Sequence, residues 1–477
     1  MTEEINQEKP FIETEAPSIE ALQEQLYGRL VTARELGVDE EMLEQIIGIQ
    51  SIPAIAKTKT GWQCQRCGNH YKKQFQLNFC CCDQKPCVYC LSCAQFGILR
   101  ACDMLYTLPN PAVHPWQQPT SSLTWQGQRS PEQERASQEV CASFMKHADH
   151  LIWAVTGAGK TEIIFPVVDL AIQQGKRVAI ATPRLDVCNE LYPRFQEAFQ
   201  GVQIGLLHSQ STEEMIYCAL LICSTHQLVR FNQAFDLLII DEIDAFPFHN
   251  DPMLHHVAKR ALMATGSLVM LTATPDRALK RRSQQGILPT SLLPARYHCY
   301  PLPEPVHQLA MGWQTSIQRG QCPRTLKRII QRWVARKQRF LIFMPHISLM
   351  QQLEDILHCT FPKHTFTSVS SKDAERLTKV EAMRLAQYDF LLTTTILERG
   401  VTFSAINVVV VGSEQAIFTQ AALIQISGRV GRKKVAPTGE VIFLHEGRTQ
   451  ASVGAVKQIK QMNRIARAKH LLREEGA

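Results

Sequence analysis

The chain has 477 residues, of which 45% are hydrophobic and 20% charged, and a formal net charge of +7. These are ordinary proportions for a soluble globular protein, and at roughly 150 residues per domain the length predicts about three domains. No run of 18 apolar residues occurs, which excludes a transmembrane helix, and the acidic start Met1-Thr2-Glu3-Glu4 lacks the basic and apolar regions of a secretory signal. The expected location is therefore the cytoplasm.

In chain order, residues 1–60 predict a helical, acidic N-terminal region. Ile19, Leu22, Leu26 and Leu30 recur at helical spacing, as do Met42, Ile46 and Ile47. The first 50 residues carry twelve acidic and three basic side chains, so the other 427 carry +16. A basic body of this kind points to a polyanionic partner.

Residues 61–105 form a cysteine module. Eight of the sixteen cysteines lie between Cys64 and Cys93. In a long chain without a signal peptide, metal binding is the better reading than disulfides. Cys64-x2-Cys67 and Cys90-x2-Cys93, separated by 22 residues, supply four thiolates for a closed, structural Zn²⁺ site. Gly68 eases the turn after Cys67, and metal binding would also supply folding energy. Cys87-x2-Cys90 is a competing pair. With Cys80, Cys81, Cys82 and Cys102 nearby, a second zinc or a substituted ligand stays open.

Pro109, Pro111, Pro115 and Pro119 mark a linker over 107–121. From 122 to 290 apolar runs alternate with helical patterns. The predicted strands are Leu151–Val155, Arg177–Thr182, Ala219–Ser224, Leu237–Ile240 and Leu268–Thr272, with helices such as Glu162–Gln174 and Arg184–Gln200 between them. Such alternation predicts a buried parallel sheet. Prolines over 289–305 read as a second linker. The alternation resumes over 306–477 with strands Phe340–Phe343, Thr365–Val369, Phe390–Thr395, Val408–Val411 and Val441–Leu444, then an amphipathic helix Val456–Leu472. The fold class is α/β, with two successive parallel-sheet lobes.

The first lobe opens with Ala154-Val155-Thr156-Gly157-Ala158-Gly159-Lys160-Thr161, a phosphate-binding loop between strand and helix. Thr156, Gly157, Ala158, Gly159, Lys160 and Thr161 would cradle a nucleotide. The glycines let backbone N–H groups curl around phosphate, Lys160 reaches the β- and γ-phosphates, and Thr161 ligates Mg²⁺. Asp241 and Glu242 end an apolar strand, where ligands sit in parallel sheets. Asp241 would hold Mg²⁺ and Glu242 would activate the attacking water. Asp244 is read as coupling the lobes or making a structural hydrogen bond. Thr272 and Thr274 are expected to bond to Asp241 and Glu242. Gln133 opens a helix after Ser130-Pro131, and its amide can pair with an adenine edge. In the second lobe, Arg429 and Arg432 share a helical face and can stabilise the transferring phosphoryl from across a cleft. ATP is the expected nucleotide, and its hydrolysis would be tied to closure of the lobes.

These motifs over 122–450 resemble those of superfamily 2 helicases and translocases, which implies two tandem RecA-like lobes. Ser224-Thr225-His226-Gln227-Leu228, Asp241-Glu242-Ile243-Asp244-Ala245-Phe246-Pro247 and Thr393-Thr394-Thr395-Ile396-Leu397-Glu398-Arg399-Gly400-Val401-Thr402-Phe403, behind a cysteine module, resemble ComFA, the late-competence ATPase family of Gram-positive bacteria. The resemblance covers about 60–465. It implies a single-stranded-DNA-stimulated ATPase that pulls transforming DNA inward at the inner face of the membrane, with competence proteins at the uptake channel as partners and peripheral membrane association. By motif match, the strand-contacting residues are Pro183, Arg184, Thr225, His226 and Gln227 in the first lobe, and Thr394, Thr395 and Arg399 in the second. Contacts of this kind go to phosphates and are sequence-tolerant. A replication-restart or repair helicase, an RNA helicase of the same superfamily and a non-enzymatic zinc adaptor are the competing readings.

Overall fold

A computed structural model describes residues 18–80, 82, 86–116, 121–211 and 217–473. Two parallel sheets dominate. The first has seven strands in the spatial order Ile204–Leu207, Leu220–Ser224, Val178–Thr182, Phe235–Asp241, Leu262–Thr272, His150–Ala154 and Thr290–Leu293. Every pairing in it is parallel. The middles of its central strands Val178–Thr182 and Phe235–Asp241 are apolar and buried. Leu237, Leu238, Ile239 and Ile240 have no exposed surface.

The second sheet is also wholly parallel, with the order Val306–Leu309, Val441–His445, Ile406–Val411, Arg339–Phe343, Phe390–Thr393 and Phe366–Val369. Both lobes are therefore RecA-like. Parallel sheets place their ligand-bearing loops at the carboxyl ends of the strands. Both sheets turn those ends toward a common cleft, which holds the phosphate loop and the Arg429 turn.

Several elements differ from the sequence reading, among them the edge strands Ile204–Leu207 and Val306–Leu309, which it did not predict. The proposed second linker contains Thr290–Leu293, the edge strand beside His150–Ala154. It is four residues long and flanked by Pro289 and Pro294, so its proline punctuation masks it. The N-terminal region is only partly helical. Short helices Ile19–Leu26, Ala33–Leu36 and Glu40–Glu44 precede the strands Gln50–Pro53 and Ile55–Thr58. These strands pair with Met104–Thr107 and Gly61–Cys64, tying the arm to the cysteine module. Leu22, Leu26, Leu30 and Ile46 are buried as their spacing predicts, whereas Ile19 and Ile47 are exposed. The last helix runs Gln450–Ala468, earlier than predicted, and buries Ala455, Ile459, Met462 and Ala466. Among the described residues no helix is long and apolar enough to cross a membrane.

Candidate functional site

The phosphate loop joins the His150–Ala154 strand to the Lys160–Gln173 helix. Gly157 and Gly159 both have left-handed backbones, φ +82° and +73°, a conformation that costs any other residue strain. The loop lies in a cleft of about 540 Å³ that Thr156 through Thr161, Asp241, Glu242, Arg429 and Arg432 all line. Lys160 Nζ stands 3.4 Å from Asp241 Oδ1. Burial pushes the Asp241 carboxyl above its usual range, more than Lys160 pulls it down. A carboxylate so poorly compensated, lining the same cleft as Thr161, is a donor set that fits Mg²⁺.

Glu242 adopts a left-handed φ of +57°. The chain turns there, and Asp244 rather than Asp241 or Glu242 meets the threonines. Asp244 accepts hydrogen bonds from Thr272 Oγ1 at 2.6 Å and from Thr274 Oγ1. This corrects the expected partners of that pair. Asp244 also accepts from Arg399 Nη2 of the second lobe at 2.6 Å, and Arg399 Nη1 lies 3.3 Å from Glu242. Asp244 thus both couples the lobes and makes the structural bond.

The arginine turn closes the cleft from the other side. Arg429 is 3% exposed and donates Nε–H to the Glu398 carbonyl, and its Nη1 has no hydrogen-bond partner among the described residues. Burial, then Arg432, drives its pKa well below the ordinary value. Arg432 donates to the Val401 carbonyl and to Thr402 Oγ1. A Cβ added to Gly428 would run into the Thr156 side chain, so the turn and the phosphate loop are in close contact.

The sequence reading missed Arg296. It is buried in the segment after Thr290–Leu293 and donates to the carbonyls of Val430 at 2.8 Å and Gly431 at 2.6 Å. His298 Nε2 lies 3.0 Å from the same Gly431 carbonyl. Together they fasten the arginine turn to the phosphate-loop lobe. A lone arginine among prolines has no periodicity or motif to reveal it.

In the cysteine module Cys64, Cys67, Cys90 and Cys93 are buried, and their sulfurs lie within 4.8 Å of one another. Cys64–Cys93 and Cys67–Cys90 separations are both 3.6 Å. Zinc–sulfur bonds of about 2.3 Å in a tetrahedron require sulfur separations of about 3.8 Å, so the set fits Zn²⁺. Asn69 Nδ2 points at Cys90 Sγ, and buried Arg66 donates to Glu35 Oε1 at 2.7 Å. Arg260 donates to the Gln65 and Arg66 carbonyls and to Val229 and Phe231, which docks the module on the first lobe.

Comparison with known proteins places this geometry. Residues 14–107 match the competence protein ComFA N-terminal domain, 127–277 the type III restriction enzyme res subunit, and 322–434 the helicase conserved C-terminal domain. Competence protein ComFA of Bacillus subtilis (strain 168) is 39% identical over 449 residues, 93% of this chain and 96% of that protein. The chain belongs to the ComFA family. ComFA of Streptococcus pneumoniae (strain ATCC BAA-255 / R6) is 38% identical over 439 residues, covering 92% and 98%. A solved structure of a variant of S. cerevisiae Dbp5 bound to RNA and ADP BeF3 shares the fold, with a TM-score of 0.51 at 14% identity, covering 72% of this chain and 98% of that one. The ComFA match and the two helicase-type domains identify a competence-related, helicase-like motor, a class that implies ATP and Mg²⁺.

Two expectations for this ComFA-family chain change with the structure. Arg399, expected on a strand track, is 2% exposed and is held by Asp244, Glu242 and Glu398. Its side chain faces the acidic motif because three carboxylates compensate its burial. Arg184 is committed to Asp186 at 2.9 Å and to the Ile396 carbonyl of the second lobe at 3.0 Å. The Gln133 amide lines the cleft and is engaged by its own lobe. Its oxygen accepts from the Ser130 N–H and its nitrogen donates to the Ala158 and Gly159 carbonyls, so it braces the phosphate loop. Trp125, Gly127 and Gln128 line that side of the cleft. Pro183, Thr225, Gln227 and Thr394 are buried, and His226 and Thr395 are partly exposed. Cys81 lies outside the described residues.

Proposed function

We propose that this protein is an ATP-driven translocase that draws single-stranded DNA inward during transformation. The observation that carries this reading is the buried Arg429, whose unpartnered Nη1 lines the same cleft as Lys160, Thr161 and Asp241. An unpartnered donor on a desolvated guanidinium is costly, and an anion such as the transferring phosphoryl would offset that cost.

In this reading Lys160 and the loop N–H groups hold the phosphates, Thr161 and Asp241 hold Mg²⁺, and Glu242 takes the proton of the attacking water. Arg429 and Arg432 reach the γ-oxygens only when the lobes are closed. Arg399 joins the lobes by the carboxylates that flank the catalytic water. Hydrolysis therefore changes the lobe contact, and that change is the movement. Thr225, His226 and Gln227 with Thr394 and Thr395 would present the strand track, through backbone N–H groups where side chains are buried. Zn²⁺ would be held by Cys64, Cys67, Cys90 and Cys93. The work would be done at the inner face of the membrane beside competence proteins of the uptake channel, and family membership supports that setting.

The test is ATP turnover with single-stranded DNA, duplex DNA and RNA at several salt concentrations. Single-stranded DNA should stimulate most, with stimulation weakening as salt rises. Lys160→Ala should abolish the stimulated turnover and leave zinc content unchanged. Unaltered turnover in that variant, or stimulation by RNA alone, overturns the proposal.

A further inference from the structure

A second group of thiols stands apart from the first. Cys80, Cys82, Cys87 and Cys102 bring their sulfurs within 4.8 Å of one another. Cys80–Cys102 are 3.6 Å apart and Cys87–Cys102 3.7 Å. A disulfide needs about 2.05 Å, so these are not bonded pairs. They match the edge of a tetrahedron around an ion at about 2.3 Å from each sulfur.

The strand Cys87–Cys90 explains why there are two groups. It pairs antiparallel with Phe75–Asn78 on one side and with Leu99–Arg100 on the other, so its side chains alternate between faces. Cys87 and Cys90 are three apart and point to opposite faces. The Cys87-x2-Cys90 spacing therefore cannot close on one ion. Cys90 goes to Cys64, Cys67 and Cys93, and Cys87 goes to Cys80, Cys82 and Cys102. Each group also has a cation beside it. Arg66 serves the first, and Arg100 Nη1 lies 3.8 Å from Cys80 Sγ in the second, with its guanidinium over the Tyr89 ring.

We propose that Cys80, Cys82, Cys87 and Cys102 form a second structural zinc site, back to back with the first across one strand. The proposal does not depend on the motor reading. Four thiolates within a single ion's reach select a mononuclear site, since a two-iron cluster divides its ligands between two metals. The ion would fasten the loop after Phe75–Asn78 to the turn at Ala101–Cys102. That turn leads into Met104–Thr107, the partner strand of the N-terminal arm.

The experiment is elemental analysis of the full chain, purified reduced and in zinc-supplemented buffer. Two zinc per chain are expected. Cys80→Ser/Cys102→Ser should retain one and keep the helical circular dichroism of the lobes. One zinc per chain in the unaltered protein, kept by Cys102→Ser and lost by Cys64→Ser, overturns this site while leaving the first standing. Iron in place of zinc overturns the metal assignment. If the double variant does not fold, cobalt titration of the unaltered apoprotein decides. Thiolate-to-cobalt absorbance should rise to two equivalents, and saturation at one overturns the proposal. Cys82→Ser should lose one zinc and Cys81→Ser none, and the reverse would overturn the ligand set.

Discussion

At the scale of single residues, the contact that matters most joins Arg399 to Asp244 and Glu242. It was only half legible. The acidic string stands out because its chemistry needs carboxylates at the end of an apolar strand, and the Glu398-Arg399-Gly400 string only through its resemblance to the ComFA family. Which carboxylate meets which hydroxyl depends on the left-handed turn at Glu242, a tertiary fact that no spacing records. Burial would raise the Asp244 carboxyl, but Arg399 outweighs it and holds the group below its usual value. With the folded pKa below the unfolded value of about 3.9, the contribution is complete above that pH and is lost only as pH falls through the folded pKa. The lobe contact should therefore be flat in pH between 6 and 8. Asp244→Asn removes one of the charges that compensate a buried guanidinium, a class of change that costs about 3–5 kcal/mol. The variant should bind nucleotide, turn it over more slowly and melt earlier. Calorimetry and nucleotide titration check this, and unchanged turnover with unchanged melting would remove Arg399 from the coupling.

At the scale of elements, the interior strands were readable, as was the edge strand Phe366–Val369, and the other three edges were not. Leu237–Ile240 and Val408–Val411 are buried throughout and show as unbroken apolar runs. Ile204–Leu207, Thr290–Leu293 and Val306–Leu309 are four-residue edge strands, half covered at most positions or bracketed by proline, and carry no comparable signal. The segment after Thr290–Leu293 is consequently more than a connector, because Arg296 and His298 hold the Val430–Gly431 carbonyls behind the arginine turn. Arg296→Ala should let that turn drift from the phosphate loop. A displacement of about 1 Å at a reacting group can cost on the order of 10²-fold in rate. Since Lys160 and the loop amides are untouched, kcat should fall by about that factor with KM for ATP little changed. Arg296→Lys should recover only part of the loss, since one ammonium cannot match the forked donors. A rise in KM with kcat intact would place Arg296 in nucleotide binding instead.

At the scale of the whole molecule, the question is how the cysteine module reaches the motor. It sits on the first lobe through Arg260, at the end of the Pro252–Ala261 helix, whose guanidinium spans the Gln65 and Arg66 carbonyls on one side and Val229 and Phe231 on the other. The next element is the strand Leu262–Thr272, which ends at the threonine bonded to Asp244. Phe96 of the module also packs 6.1 Å from the His226 ring, beside the proposed strand track. The module is thus continuous with the strand-facing side and with the Asp244 contact, while the phosphate loop belongs to another strand. Arg260→Met keeps much of the apolar stem and removes four hydrogen bonds. It should leave the metal content and the basal ATP turnover near those of the unaltered protein. Stimulation by single-stranded DNA should fall several-fold, and limited proteolysis should release a fragment ending within residues 107–121. If stimulation and protease resistance both persist, the module's docking through Arg260 does not transmit to the strand, and its role is confined to folding the N-terminal third of the chain.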